Sequence, residues 1–277
     1  MPARLPLTPG RRAALIIGVP ITAALFGWMA FSAVALASQV SYRVHLSAPV
    51  TGQGVRLALG QADAVVRPGS GSRIQVGGTL SGSLARPAFH WHPIAAGLAL
   101  DARCPVLTGN CSRDFHITVP GGLPLNVSGS SGDLDVSGFR GQVTLSDGSG
   151  NLSTSRLAGT ISLSSGSGDI TASGLTGGRV RVTNGSGNID VDGLAATNVV
   201  GGENSGDITL TFARAPRRVS VENGSGNITL VLPRGPSYQV DARSSSGQVS
   251  VGVKTRPSAP YVITAINRSG DITITYG

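Results

Sequence analysis

Beyond residue 121 the chain alternates apolar and polar residues in bursts too short for a helix, and the bursts come in pairs. Ser-Gly followed by Asp, Asn or Gln recurs eight times, with glycines at 132, 150, 168, 187, 206, 226, 247 and 270. Their spacings are 18, 18, 19, 19, 20, 21 and 23 residues. Two and four residues after each glycine stands a mostly apolar pair, from Leu134 and Val136 to Ile272 and Ile274. Seven and five residues before it stands another, from Leu125 and Val127 to Ile263 and Ala265. A period of two belongs to strands, so each repeat predicts two short strands joined at the Ser-Gly corner. Two strands cannot close a core alone, but stacked coils bury each other's apolar faces and satisfy their backbones through parallel ladders. The fold class predicted is all-β: a right-handed parallel β-solenoid with two strands per coil and about eight coils.

The corners carry a second pattern. Gly132, Gly150, Gly168, Gly187, Gly206, Gly226, Gly247 and Gly270 are expected to supply the positive φ of a tight turn. The residues after them read Asp133, Asn151, Asp169, Asn188, Asp207, Asn227, Gln248 and Asp271, alternating acid with amide through the first six. Stacked carboxylates about 4.8 Å apart would repel by roughly 1 kcal/mol even in water. Alternation removes that repulsion and predicts a ladder in which each amide donates to a neighbouring carboxylate. Calcium-binding nonapeptide repeats need acid in every unit, and half of this ladder is amide, so no metal or other cofactor is expected.

Before the repeats the picture changes. Residues 13–37 hold no charge, and about 20 apolar residues suffice to cross a bilayer. Arg4, Arg11 and Arg12 precede them, which places the N-terminus in the cytoplasm and the rest outside. Four regions follow: a cytoplasmic tail at 1–12, a single-pass transmembrane anchor at 13–37, a β region at 38–120 that caps the stack, and the repeats at 121–277. The alternative is secretion after cleavage following Ala37, at the site Ala35-Leu36-Ala37. Cys104 and Cys111 are the only cysteines, and an exported location predicts a disulfide between them. The C-terminal end shows no cap, so its last coil is expected to be open to a partner.

Forty glycines and 13% charged residues exclude an ordinary helical enzyme. Of 22 basic residues, 19 follow the apolar stretch and face 14 acids. The late loops are longer and basic: Arg214, Arg217 and Arg218 in one, Arg234 in the next, Lys254 and Arg256 in the last. Gathered on one edge, these six make a candidate stripe for phosphate or carboxylate polymers. Catalysis finds little support. His45, His90, His92 and His116 all precede the repeats. His90-Trp91-His92 lacks a third metal ligand, and Asp133, Asp169 and Asp207, two coils apart, lack the aromatic platform of a polysaccharide-cleaving site.

The apolar anchor, the ITVP strand leading into LNVSGSSGDLDVSG, and the serial GSGDI and GSGNI corners resemble a bacterial family of adhesin-type proteins, formerly known only as a domain of unknown function and common in actinobacteria. The likeness covers roughly residues 45 to 277 and brings no catalytic residues. It implies a non-enzymatic cell-surface module that meets envelope polymers or protein partners, with no specific nucleic acid. The alternatives are an envelope scaffold or signalling module associating through the open C-terminal coil, and a polysaccharide-active enzyme.

Overall fold

The computed structural model describes residues 21–33, 37–50, 52–83, 85–104 and 111–277. The tail expected at 1–12 lies outside them, as does part of the stretch 13–37. Residues 21–33 form a helix, and among the described residues no helix is long and apolar enough to cross a membrane.

The chain divides into two compact units. The smaller comprises Met1–Tyr42, Leu80–Ala88 and Cys104–Ser112. It holds the helix and the expected disulfide, Cys104 to Cys111, whose Cα atoms are 6.1 Å apart. Within it the Tyr42 hydroxyl donates to the Pro87 carbonyl at 2.6 Å.

The larger unit is all-β and built as two parallel ladders. One runs Gly97–Arg103, Val55–Gly60, Leu125–Gly129, Arg140–Ser149, Ala158–Ser167, Thr176–Ser186, the later part of Ile189–Ser205, Arg218–Ser225, Val262–Ser269, Gln239–Ser244. The other runs the part of Cys111–Pro120 from Arg113 on, Asp63–Gly69, Leu134–Ser137, Leu152–Ser155, Ile170–Ser173, the start of Ile189–Ser205, Ile208–Phe212, Ile228–Leu232, Ile272–Tyr276, Val249–Val251. Register follows the repeat: Leu134, Leu152, Ile170, Ile189, Ile208, Ile228 and Ile272 form one column, each at most 1% exposed. Alternation along each strand thus becomes a continuous apolar seam between the ladders.

Two features depart from a stack in simple sequence order. Strands Val55–Gly60 and Asp63–Gly69, from the region ahead of the repeats, pair directly with Leu125–Gly129 and Leu134–Ser137 and extend both ladders. At the other end the last coil is not outermost. Val262–Tyr276 inserts between the coil of Arg218–Leu232 and that of Gln239–Val251. The open end expected at the chain's last coil therefore belongs to Gln239–Val251, where Val249 and Val251 are 41% and 39% exposed. The insertion also gives a geometric reason for a long late loop. Residues 233–238 must cross about 9.6 Å, two strand spacings, rather than one. Tyr238 seals this connection: it is wholly buried, its hydroxyl donates to the Pro233 carbonyl at 2.9 Å, and its ring lies 5.9 Å from that of Tyr261. Burial, with Tyr276 and Tyr261 beside it, pushes the Tyr238 hydroxyl up to about 12.

Candidate functional site

Each coil has two edges of different chemistry. At the corner edge, all the expected glycines except Gly150 take positive φ, between 109 and 152°. A second constraint acts on every one of the repeats' corners: a Cβ would strike main chain of the coil below, as at Gly168, where it would meet the Gly150 carbonyl. The ladder after these glycines forms, but with other partners than expected. Each side-chain oxygen accepts the backbone N–H of the next coil's ladder residue, at 2.7 to 3.1 Å, from Asp63 through Asp133, Asn151, Asp169, Asn188, Asp207, Asn227 and Asp271 to Gln248. Because the last coil is inserted, the acid–amide alternation that fails in sequence at Gln248 and Asp271 continues in space.

Three residues before each corner glycine runs a second, buried column. Asp147, Ser165, Asn184, Glu203, Asn223 and Asn267 are in register and at most 8% exposed. In three coils the amide serves the coil below: Asn184, Asn223 and Asn267 donate from Nδ2 to the carbonyls of Gly168, Gly206 and Gly226 at 2.8, 2.9 and 2.7 Å. Ser244 does the same through its hydroxyl to Gly270. Asp147 and Glu203 cannot while ionised. Both Asp147 carboxylate oxygens and Glu203 Oε2 are buried without a hydrogen-bond partner, and burial pushes both carboxyls above their ordinary values. This column was missed in the sequence, although a polar residue three before every corner glycine but the first, where Gly129 stands, was its visible sign.

The opposite edge is formed by the turns that lead from the second ladder back to the first. Arg214, Arg217, Arg218, Arg234, Lys254 and Arg256 all lie on it and are exposed. Their turns are tied to neighbouring coils by main-chain bonds: Arg217 N–H to the Thr197 carbonyl, Val262 N–H to the Arg217 carbonyl, Tyr238 N–H to the Lys254 carbonyl. Arg234 also donates from Nε to the Gly277 carbonyl and sits over the Tyr276 ring at 5.7 Å. None of the six belongs to an ion pair among the described residues; the pairs there are Arg67–Asp135, Arg103–Asp101 and Arg243–Asp241.

A family model matches residues 105–275. The chain belongs to the Toastrack DUF4097 family. Among solved structures, the toastrack is similar to a "putative adhesin" from Bacteroides fragilis, at 14% identity over 85% of this chain and 97% of that one, with a TM-score of 0.56. It is similar to a "putative lipid binding protein" from Parabacteroides distasonis at 13% identity, over 85% and 96%, again with a TM-score of 0.56. At such identities the likeness is one of fold. No curated protein matches the chain.

Other candidates in the toastrack remain scattered. His90, Trp91 and His92 are exposed along Ala88–Ile94. His45 and His116 line a groove of about 450 Å³ with Gln75 and Thr118. Among the described residues no group of three His, Cys, Asp or Glu is placed to hold a metal. Asp133, Asp169 and Asp207 each spend an oxygen on the next coil's backbone, which makes them staples of the stack.

Proposed function

We propose that the toastrack is a non-enzymatic module tethered to a membrane by its N-terminal apolar segment and displayed on the outer side. There its cationic turns hold an anionic envelope polymer. The single observation that carries this reading is the loop edge, with six exposed cations from three successive turns and no ion pair to neutralise them among the described residues. Unpaired, closely spaced cations keep their field for an external anion.

Tethering is supported by residues 21–33, a helix exposed on every side although Phe26, Trp28 and Met29 lie on it at 72%, 71% and 64% exposure. A helix apolar all round belongs in a core or in lipid. Export is supported by the Cys104–Cys111 disulfide, a bond of oxidising compartments. The adhesin name of the Bacteroides structure accords with a surface role.

The test uses the full chain in detergent micelles, titrated with teichoic acid and with hyaluronate at low and raised salt. Salt-sensitive binding that falls at least about tenfold in the triple variant Arg217→Gln, Arg218→Gln, Arg234→Gln is the expected result. Binding to neither polymer, or binding indifferent to the triple variant, refutes it.

A further inference from the structure

The basic turns reach beyond the six residues at the C-terminal end. Arg140, Arg156 and Arg179 occupy the same edge on earlier coils, all exposed and none in an ion pair among the described residues. Arg179 shares a register row with Asn198 and Arg218, and Arg140 aligns with Ala158 of the next coil. The turns at 138–142, 156–160, 174–179, 193–198, 213–218, 233–238 and 252–261 contain no Asp or Glu. The corner edge, by contrast, bears Asp63, Asp133, Asp169, Asp207 and Asp271. Six of these seven turns carry Arg or Lys, the exception being 193–198, so cations predominate on this edge and acids on the other. From the strand opened by Arg140 to the outermost strand are six strand-to-strand steps, about 29 Å at about 4.8 Å each. Successive cations fall within about one Debye length, so their fields add along the edge.

Arg156 is a second, independent sign. Its φ is +52°, and the equivalent positions in neighbouring coils are Gly138, Gly174 and Gly193, at +82°, +63° and +67°. The equivalence is fixed by their backbone bonds, Gly138 N–H to Ser155, Arg156 N–H to Ser173 and Gly174 N–H to Asp192. A long side chain held where its repeats use glycine is a local strain of the kind that persists at working surfaces.

We propose that this edge is a track for a linear polyanion, a chain of regularly spaced oxyanions lying along the stack axis and touching the cations of each coil it passes except that of 193–198, where Asn198 stands between Arg179 and Arg218. The inference rests on the polymer-binding reading above and adds the shape and extent of the ligand. A short anion fills only a local group of cations, whereas a chain that spans the edge gains every further contact at high effective concentration.

The experiment compares tripolyphosphate, long-chain polyphosphate and long-chain alginate as probes, using the full chain in micelles. Its variant is Arg140→Gln, Arg156→Gly, Arg179→Gln, in which the glycine suits the local φ. Long chains are expected to bind at least about tenfold more tightly than tripolyphosphate. The variant should lose that advantage and show a shallower salt dependence. Preference for polyphosphate over alginate identifies a phosphate polymer, and the reverse a carboxylate one. Equal affinity for short and long chains, with no effect of the variant, overturns the track and leaves the local cationic cluster standing. No binding to any probe overturns both readings. Binding to phosphatidylglycerol vesicles with none to the polymers overturns the track in favour of a lipid surface.

Discussion

Replacing Asp147 with Asn should stabilise the toastrack, and more so as pH rises. Asp147 is 6% exposed, its carboxylate oxygens have no partner, and the coil below offers Gly129, whose missing side chain leaves room for Oδ1. The other groups facing it are Ser165 in the next coil, the charge of Asp133, and the Gly148 and Ser149 N–H groups, whose pull toward the ionised form is outweighed by burial. Burial raises the folded-state value above the unfolded one, so the neutral acid is the form the fold favours. Its contribution is therefore complete below the ordinary aspartate value and is lost as pH climbs through the raised one. Asn supplies the neutral donor that Asn184, Asn223 and Asn267 use on the carbonyls below them. One such bond is worth about 1 kcal/mol net, and relief of an unpartnered buried acceptor about 1 kcal/mol more. At roughly 2 to 4 °C per kcal/mol for a unit of this size, Asp147→Asn should raise Tm by roughly 4 to 8 °C at pH 8. The gain should shrink as pH falls toward 4, because the raised carboxyl of Asp147 takes up its proton ahead of an ordinary aspartate. Thermal unfolding followed by circular dichroism across that range measures both. A variant less stable at pH 8, or a gain that does not shrink toward pH 4, refutes the argument.

Two further outcomes follow from the same packing. Gly168→Val places a branched Cβ at φ +109° and against the Gly150 carbonyl, and should cost about 3 kcal/mol or more in chemical denaturation. Gly178→Ala, where a Cβ meets nothing within 4 Å, should stay within about 0.5 kcal/mol and serves as its control. Tyr238→Phe leaves the Pro233 carbonyl without its hydroxyl donor and should lower stability by about 1 to 2 kcal/mol. Hydrogen exchange at residues 233–261 should report that loss locally, and unchanged protection there would refute the role given to Tyr238.

The corners and strands were legible because a period of two leaves its mark on every coil: Leu134, Leu152 and Ile170 announce the column they form. Spatial order was not legible. Nothing local in Gln239–Val251 says that it skips a place, since strand pairing is decided by comparing coils that lie far apart in sequence. The ladder residues were found and their partners were not, because Asp169 and Asn188 read as side chains facing one another, whereas the tight corner presents the Asn188 N–H to Asp169 Oδ1 first. Of the cationic edge, the long late turns drew attention and the short early ones did not. Arg156 becomes telling only with its φ, and sequence carries no dihedral angles.

Why the chain inserts its last coil can be argued from the two coils that compete for the inner place. Val262–Tyr276 brings Ile263, Ala265, Ile272 and Ile274 to the core columns, all at 0% exposure. Gln239–Val251 brings Val240, Ala242, Val249 and Val251 to the same columns. Three Ile against three Val differ by three methylenes, at most about 2.4 kcal/mol at about 0.8 kcal/mol each. That favours covering the isoleucines on both sides and leaving the smaller coil outermost. The polar residues point the same way. Asp241 and Arg243 pair with each other at 2.8 Å on the outermost strand, both well exposed, and charge on an edge strand blunts pairing with other chains. At the inner position Asn267 donates to the Gly226 carbonyl, as its counterparts do lower in the stack. Gln239–Val251 is therefore the coil better suited to the open end, and its charged pair blunts that edge. It precedes in sequence the coil it covers, so the order of the coils in the stack follows their packing and not their order along the chain.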